Sequence, residues 1–268
     1  MPEGHTLHRL ADELADAFGG RRVRTSSPQG RFASAAALLD GTLLRGAEAT
    51  GKHLFVQFSR GRWVHVHLGL VGSFLVHGVP APQEPGPVRL RISTRTSYAE
   101  LRGPAVCELA TTAERQAVLD RLGPDPLHIG SDPERAWARI RRSRTAIGVL
   151  LMQQDLIAGV GNVYRAELLF RHRVDPHRAG TELTYDQWTA MWDDLRMLMV
   201  EGVRTGRIDT VRPEHAPEQM GRPPRVDDHG GEVYVYRRAG EPCLVCGTTV
   251  TAAVVAGRNL FWCPCCQR

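Results

Sequence analysis

Near the C-terminus the chain reads Cys243-x2-Cys246, sixteen intervening residues, then Cys263-x2-Cys266. Four thiolates at this spacing can close a tetrahedron around one Zn²⁺. The segment 233–268 is too short to bury a self-sufficient apolar core, so bound metal would supply its folding energy. Disulfides are the rival reading, but the sequence MPEGHTLHRLADELADAF carries acids and no apolar stretch of a secretory signal. Four protein ligands leave no open coordination position, which makes the zinc structural and argues against a zinc hydrolase. No His-Glu-x-x-His occurs either. Between the cysteine pairs, Thr248–Ala256 and Asn259–Trp262 are expected to pair as a hairpin with its turn at Gly257-Arg258. Arg258 would then stand at a metal-braced tip, suited to gripping a phosphate. Cys265 is a fifth sulfur beside the site, and Cys107 reads as a small buried residue.

The basic residues are unevenly placed. The chain of 268 residues has a formal net charge of +5. Residues 135–178 hold nine arginines against Asp155, Glu167 and Asp175, a local excess that suits a polyanion. Of 34 basic residues, one is lysine, Lys52. Where arginine is so favoured, a retained lysine is a candidate for proton transfer or a compact phosphate contact.

Residues 4–18 are read as an amphipathic helix presenting Leu7, Leu10, Ala11, Leu14 and Phe18. From about 22 to 110, short β-like runs (53–58, 62–68, 72–77 and 88–93) indicate a sandwich or barrel. A Pro-rich loop covers 78–87. Residues 113–122 read as helix, and Gly123-Pro124-Asp125-Pro126 marks a boundary. A helical pattern covers 131–203, broken at Ala158-Gly159-Val160-Gly161. Residues 206–231 read as a long loop, and 233–268 return to β-like runs. The expected fold is α+β: an N-terminal helix and β-sandwich domain over 1–122, a helical domain over 123–205, a loop over 206–232, and a zinc hairpin over 233–268. No apolar run reaches the ~18–20 residues that span a bilayer, and a cytoplasmic protein is expected.

Two further features carry chemistry. In Gly159-Val160-Gly161-Asn162 the glycines allow a tight reversal, and Asn162 falls at or near the N-cap of the next helix. At the start, Met1-Pro2-Glu3 would expose a secondary amine once methionine is removed. A terminal amine titrates near ~7.7–8.0, so a useful fraction is neutral and nucleophilic. The positive end of helix 4–18 lowers that value further. Such an amine attacking an aldehyde-level carbon gives an iminium, and Glu3 can move protons beside it.

Pro2-Glu3-Gly4, Gly51-Lys52-His53-Leu54, His67-Leu68-Gly69-Leu70, the 158–165 turn and the four-cysteine finger with Gly257-Arg258-Asn259 occur in this order. Together they resemble the Fpg/Nei family of DNA glycosylases, over essentially the whole chain. The Pro-Glu-Gly start resembles the endonuclease VIII branch. The resemblance implies a helix–two-turn–helix motif around Asn162 and a base-excision-repair enzyme that is both a glycosylase and an AP lyase, with oxidised pyrimidines favoured. It implies Pro2 as the nucleophile at C1′, Glu3 as proton relay, Lys52 as catalytic phosphate contact, Leu70 as a wedge in the duplex, and Asn162 and Arg258 as DNA-backbone contacts. His67 is read as a further phosphate contact. A monomer acting on damaged double-stranded or single-stranded DNA, associated with the nucleoid, is implied. Two departures stand out: an acid frequent near Met152 is replaced by apolar residues, and 206–231 matches no family pattern. The alternatives are a formamidopyrimidine-type purine glycosylase and a non-catalytic DNA-binding zinc protein.

Overall fold

The computed structural model describes residues 2–79, 86–226 and 231–268. Met1, part of the predicted 78–87 loop and four residues of the 206–231 loop lie outside them. The chain divides into two compact units, residues 1–121 and 122–268.

The first unit opens with α1 (Gly4–Phe18), whose apolar stripe Leu7, Leu10, Ala11, Leu14 and Phe18 is buried as the 3.6-residue period requires. A short helix, α2 (Ala33–Leu39), and two antiparallel sheets follow. One is ordered β1 (Arg21–Arg22), β3 (Leu43–Thr50), β4 (His53–Phe58), β5 (Arg62–His67), β9 (Val106–Thr111). The other is ordered β2 (Arg24–Ser26), β7 (Val88–Ser93), β8 (Ser97–Arg102), β6 (Ser73–Gly78). Their inner faces share one core, in which Leu54, Val56, Val64 and Val66 meet Leu90, Ile92, Ala99 and Leu101 under α1. This is the sandwich expected from the sequence. β7 alternates buried and part-exposed residues, as a strand with one solvated face should. β4 and β5 are buried on both faces instead. Helix α3 (Thr112–Leu119) brings Val118 and Leu119 onto Phe55, Trp63 and Ala110 on the outer face.

In the second unit a helical core surrounds α6 (Asn162–Arg171) and α7 (Tyr185–Thr205). Thr184 and Gln187 form a reciprocal capping box that starts α7, and Gly206 in the left-handed conformation ends it. The helical stretch expected over 131–203 is more broken than its periodicity suggested. It resolves into α4 (Pro133–Ile140), the single turn α5 (Ile147–Leu150), α6 and α7. The 206–231 segment contains a 3-10 turn at Pro213–His215 and a short α8 (Pro217–Met220). Residues 233–236 were expected to be β-like and are not a strand, because their N–H groups are engaged elsewhere. Tyr234, Val235 and Tyr236 donate to the buried Glu167 carboxylate at 2.7, 2.8 and 2.8 Å. The chain ends in a hairpin of β10 (Thr251–Val255) and β11 (Arg258–Trp262). No helix among the described residues is long and apolar enough to cross a membrane.

Candidate nucleic-acid site and metal centre

Lys52 sits at the tip of the β3–β4 hairpin. Thr50 pairs with His53, so Gly51-Lys52 is a two-residue turn. Gly51 has φ +56°, the left-handed conformation that glycine supplies in the first central position of such a turn. His53 in turn pairs with His67 at the end of β5, and the Lys52 ammonium is close enough to lower the His67 pKa, after burial itself. His67 Nδ1 accepts the Gly69 N–H at 3.1 Å. A neutral His67 therefore carries its proton on Nε2 and can donate it outward. Beyond β5, Leu70 and its neighbour Val71 are 66% and 86% exposed. Apolar side chains so exposed at a turn are available for insertion into a partner.

Glu3 is the N-cap of α1 and is fully buried, with its carbonyl accepting the Thr6 N–H at 3.0 Å. Pro2 precedes it and is half-buried. Burial pushes the neighbouring His5 down to about 4, so it adds no positive charge beside the helix start at neutral pH. Helix α1 packs on β3, β4 and β6.

In the second unit the glycine turn is closed by Gln154, which sequence reading passed over. Its Oε1 accepts the Gly159 N–H at 3.0 Å, and its Nε2 donates to the Val160 carbonyl at 2.9 Å. Gly161, rather than Asn162, is the N-cap of α6, and Asn162 is the first helical residue. Its side chain does not cap the helix; Oδ1 accepts from Arg165 Nη2. A guanidinium can only donate, so the atom facing it is the oxygen, and the Nδ2 hydrogens of Asn162 point away. Arg165 is 1% exposed and also donates to the Asn259 carbonyl at 2.8 Å and the Gly148 carbonyl at 3.2 Å. It ties Asn162 to the residue next to Arg258. Arg258 is exposed and opens β11 opposite Val255. The turn lies one residue earlier than expected, at Ala256-Gly257, with φ +49° and +72°. Two successive positive φ values define the primed turn that matches strand twist.

The sulfurs of Cys243, Cys246, Cys263 and Cys266 all lie within 4.8 Å of one another. The Cys243–Cys266 and Cys246–Cys263 separations are 3.9 and 3.5 Å. Tetrahedral Zn²⁺ with Zn–S bonds of about 2.3 Å needs sulfurs about 3.8 Å apart, so the donor set fits structural zinc. Cys265 is not among the converging thiols. The second knuckle is pinned by Gln267, which accepts the Cys263 N–H at 2.9 Å and donates to the Val174 carbonyl at 3.0 Å.

The structure thus brings Lys52 together with His67, and Asn162 together with the residue beside Arg258, and gathers the four thiols. Sequence reading missed Gln154, Arg165 and Glu167; a buried Arg and Glu at i and i+2 of one helix were the available signal.

Comparison with known proteins agrees over the whole length. The formamidopyrimidine-DNA glycosylase N-terminal domain matches residues 1–106, the formamidopyrimidine-DNA glycosylase H2TH domain residues 122–213, and the zinc finger found in FPG and IleRS residues 240–268. Endonuclease 8 1 of Mycobacterium tuberculosis is 52% identical over 271 residues, covering 100% of both chains. A probable endonuclease 8 2 of Streptomyces coelicolor is 33% identical, covering 100% of this chain and 94% of that protein. A formamidopyrimidine-DNA glycosylase of Desulfitobacterium hafniense is 30% identical, covering 98% and 94%. Among solved structures, Lactococcus lactis Fpg in complex with abasic-site DNA superposes with a TM-score of 0.79 at 21% identity over 99% of each chain, a likeness of fold. The chain belongs to the Fpg/Nei family of bifunctional DNA glycosylases and AP lyases of base excision repair.

Proposed function

We propose that this enzyme removes oxidised bases, pyrimidines in preference, through a Schiff base on Pro2. After loss of Met1, the Pro2 nitrogen lone pair attacks C1′ of the damaged nucleotide. The C1′–base bond breaks and the base leaves with a proton, while the sugar ring opens to an iminium. Glu3 relays protons during that opening. Loss of a C2′ proton into the iminium electron sink expels the 3′ phosphate, and a second elimination expels the 5′ phosphate. Lys52 and the Nε2–H of His67 hold the phosphate next to the lesion. Asn162, through Nδ2, and Arg258 grip the backbone, and Leu70 fills the gap left by the extruded base, offsetting part of the few kcal/mol of lost stacking. Zinc held by Cys243, Cys246, Cys263 and Cys266 braces the hairpin that carries Arg258.

The observation that carries this reading is the pairing of Lys52, the chain's one lysine, with a His67 whose remaining nitrogen is a donor. Two donors of that kind at one hairpin end suit a phosphate. The pyrimidine preference is supported by the 52% identity to a protein named endonuclease 8, against 30% to one named formamidopyrimidine-DNA glycosylase. We take the protein to act as a monomer on duplex DNA in the cytoplasm. Parallel single-turnover assays on duplexes carrying 5-hydroxyuracil or 8-oxoguanine test the preference. Faster excision of 5-hydroxyuracil is expected, and faster excision of 8-oxoguanine would favour the purine reading.

A further inference from the structure

The outer face of the five-stranded sheet carries a line of polar groups that no step above uses. His53 on β4, His65 on β5 and Glu108 on β9 lie on neighbouring strands, with His65 directly opposite both Phe55 and Glu108. His53 Nδ1 and His65 Nε2 are 2.8 Å apart, and His65 Nδ1 is 2.8 Å from Glu108 Oε1. His65 is 4% exposed and stacks on Phe55 at 4.7 Å between centroids. Glu108 is open to solvent, its side chain 59% exposed. At the other end the His53 ring meets the His67 ring edge-on at 5.1 Å. The line therefore runs from a solvated carboxylate to the back of the histidine beside Lys52.

We propose that Glu108, His65 and His53 are positioning residues that orient the His67 ring for its phosphate contact. The inference rests on the reading of His67 given above and adds three residues to it. The Glu108 oxygen is the acceptor in this arrangement, with the proton on His65 Nδ1. In the proposed arrangement His65 accepts at Nε2, and His53 donates from Nδ1. Each bond fixes the ring plane of the next residue, and the last plane is the wall against which His67 rests. The Gly69 N–H on Nδ1 gives His67 a second hold. Burial, with His65, His67 and Arg121 nearby, pushes His53 down to about 3. It therefore adds no charge to the corner shared by Lys52 and His67. Arg115 covers Phe55 and pairs with Glu48, and Arg121 lies near His53, so these charged groups also face this side of the sheet. A metal site is not the explanation, because among the described residues these side chains do not form a ligand cluster.

Glu108 offers a test that separates positioning from charge. Glu108→Gln and Glu108→Ala remove the same negative charge, but glutamine keeps an oxygen for the His65 Nδ1–H. Charge alone predicts that both bind DNA equally and slightly more tightly than the parent. Positioning predicts that the alanine variant binds about fivefold more weakly than the glutamine variant, the worth of one ordinary hydrogen bond. Equilibrium binding of the full-length zinc-loaded protein to a duplex with a tetrahydrofuran abasic analogue reads the difference. In a His67→Ala background the two variants should bind alike. Equal binding of the variants in the parent background, or an undiminished gap without His67, overturns the proposal. If His67→Ala alone leaves affinity unchanged, the phosphate contact itself is refuted, and this proposal falls with it. Long-range ¹H–¹⁵N correlation spectra of the unmodified protein supply an independent readout. Protons on Nδ1 of His65 and His53 and on Nε2 of His67 are expected, and a His67 proton on Nδ1 would contradict the arrangement.

Discussion

Arg165 on α6 donates over 2.8 Å to the main-chain carbonyl of Asn259, the residue after Arg258 on β11. Through the same guanidinium it holds the Oδ1 of Asn162, so one buried cation sets two of the candidate DNA contacts. Replacing it leaves buried carbonyl groups without a donor. Arg165→Ala should destabilise the folded protein by about 3 kcal/mol. Arg165→Lys should restore little, because a point ammonium cannot reproduce the planar fork. Thermal unfolding of the three proteins checks this. A lysine variant as stable as the parent would show that charge, not geometry, is what the site needs.

Arg258 is exposed at the start of β11 and is read as a phosphate contact. Arg258→Ala should weaken binding across unrelated DNA sequences and flatten the dependence of log K on log salt by about one unit. Titrations between low and physiological salt measure the slope. An unaltered slope would remove Arg258 from the interface.

The four converging thiols make zinc part of the fold of the C-terminal hairpin. Chelation should unfold the hairpin and release Trp262 from its edge-on contact with His177, whose ring centroid is 5.0 Å away. Tryptophan fluorescence should change together with zinc release at one ion per chain. Cys266→Ser should lose the metal, whereas Cys265→Ser should keep it at full stoichiometry. Loss of zinc from the Cys265 variant would mean the ligand set is wrong.

Acid should loosen the helical unit through Asp194 on α7. Its carboxylate accepts from Arg171 at 2.6 and 2.7 Å and from His172 at 3.0 Å. Burial alone would raise its pKa, but the hydrogen bonds and charges of His172 and Arg171 hold it well below the usual carboxylate range. A carboxylate with a depressed folded-state pKa contributes stability above its unfolded value near ~3.9, lost progressively as pH falls below that. Unfolding free energy should therefore drop below about pH 4, and Asp194→Asn should flatten that part of the profile. A variant with the parent's acid profile would show that other carboxylates set it.

Much of this was legible in the residues. The α1 stripe, the runs at 53–58 and 88–93 and the cysteine spacing carry their periods openly, and the structure follows them. What escaped was set by long-range partners. Residues 233–236 look like a strand by composition, yet Glu167, almost seventy positions away, takes their N–H groups. Asn162 looks like a cap by its place after Gly161, but Arg165, one helical turn on, claims its oxygen. The hairpin turn moved to Ala256-Gly257 because turn type is decided by which pair accepts positive φ, and local sequence left two choices open. His53 and His65 became a connected line only when β4, β5 and β9 were placed side by side.

The most direct test of the central claim is borohydride trapping on abasic duplex DNA. Protein with Met1 removed should form a covalent, reduction-stabilised adduct. A form retaining Met1, whose Pro2 nitrogen is an amide, should form none. Equal trapping by the two forms would contradict the assignment of Pro2 as the nucleophile.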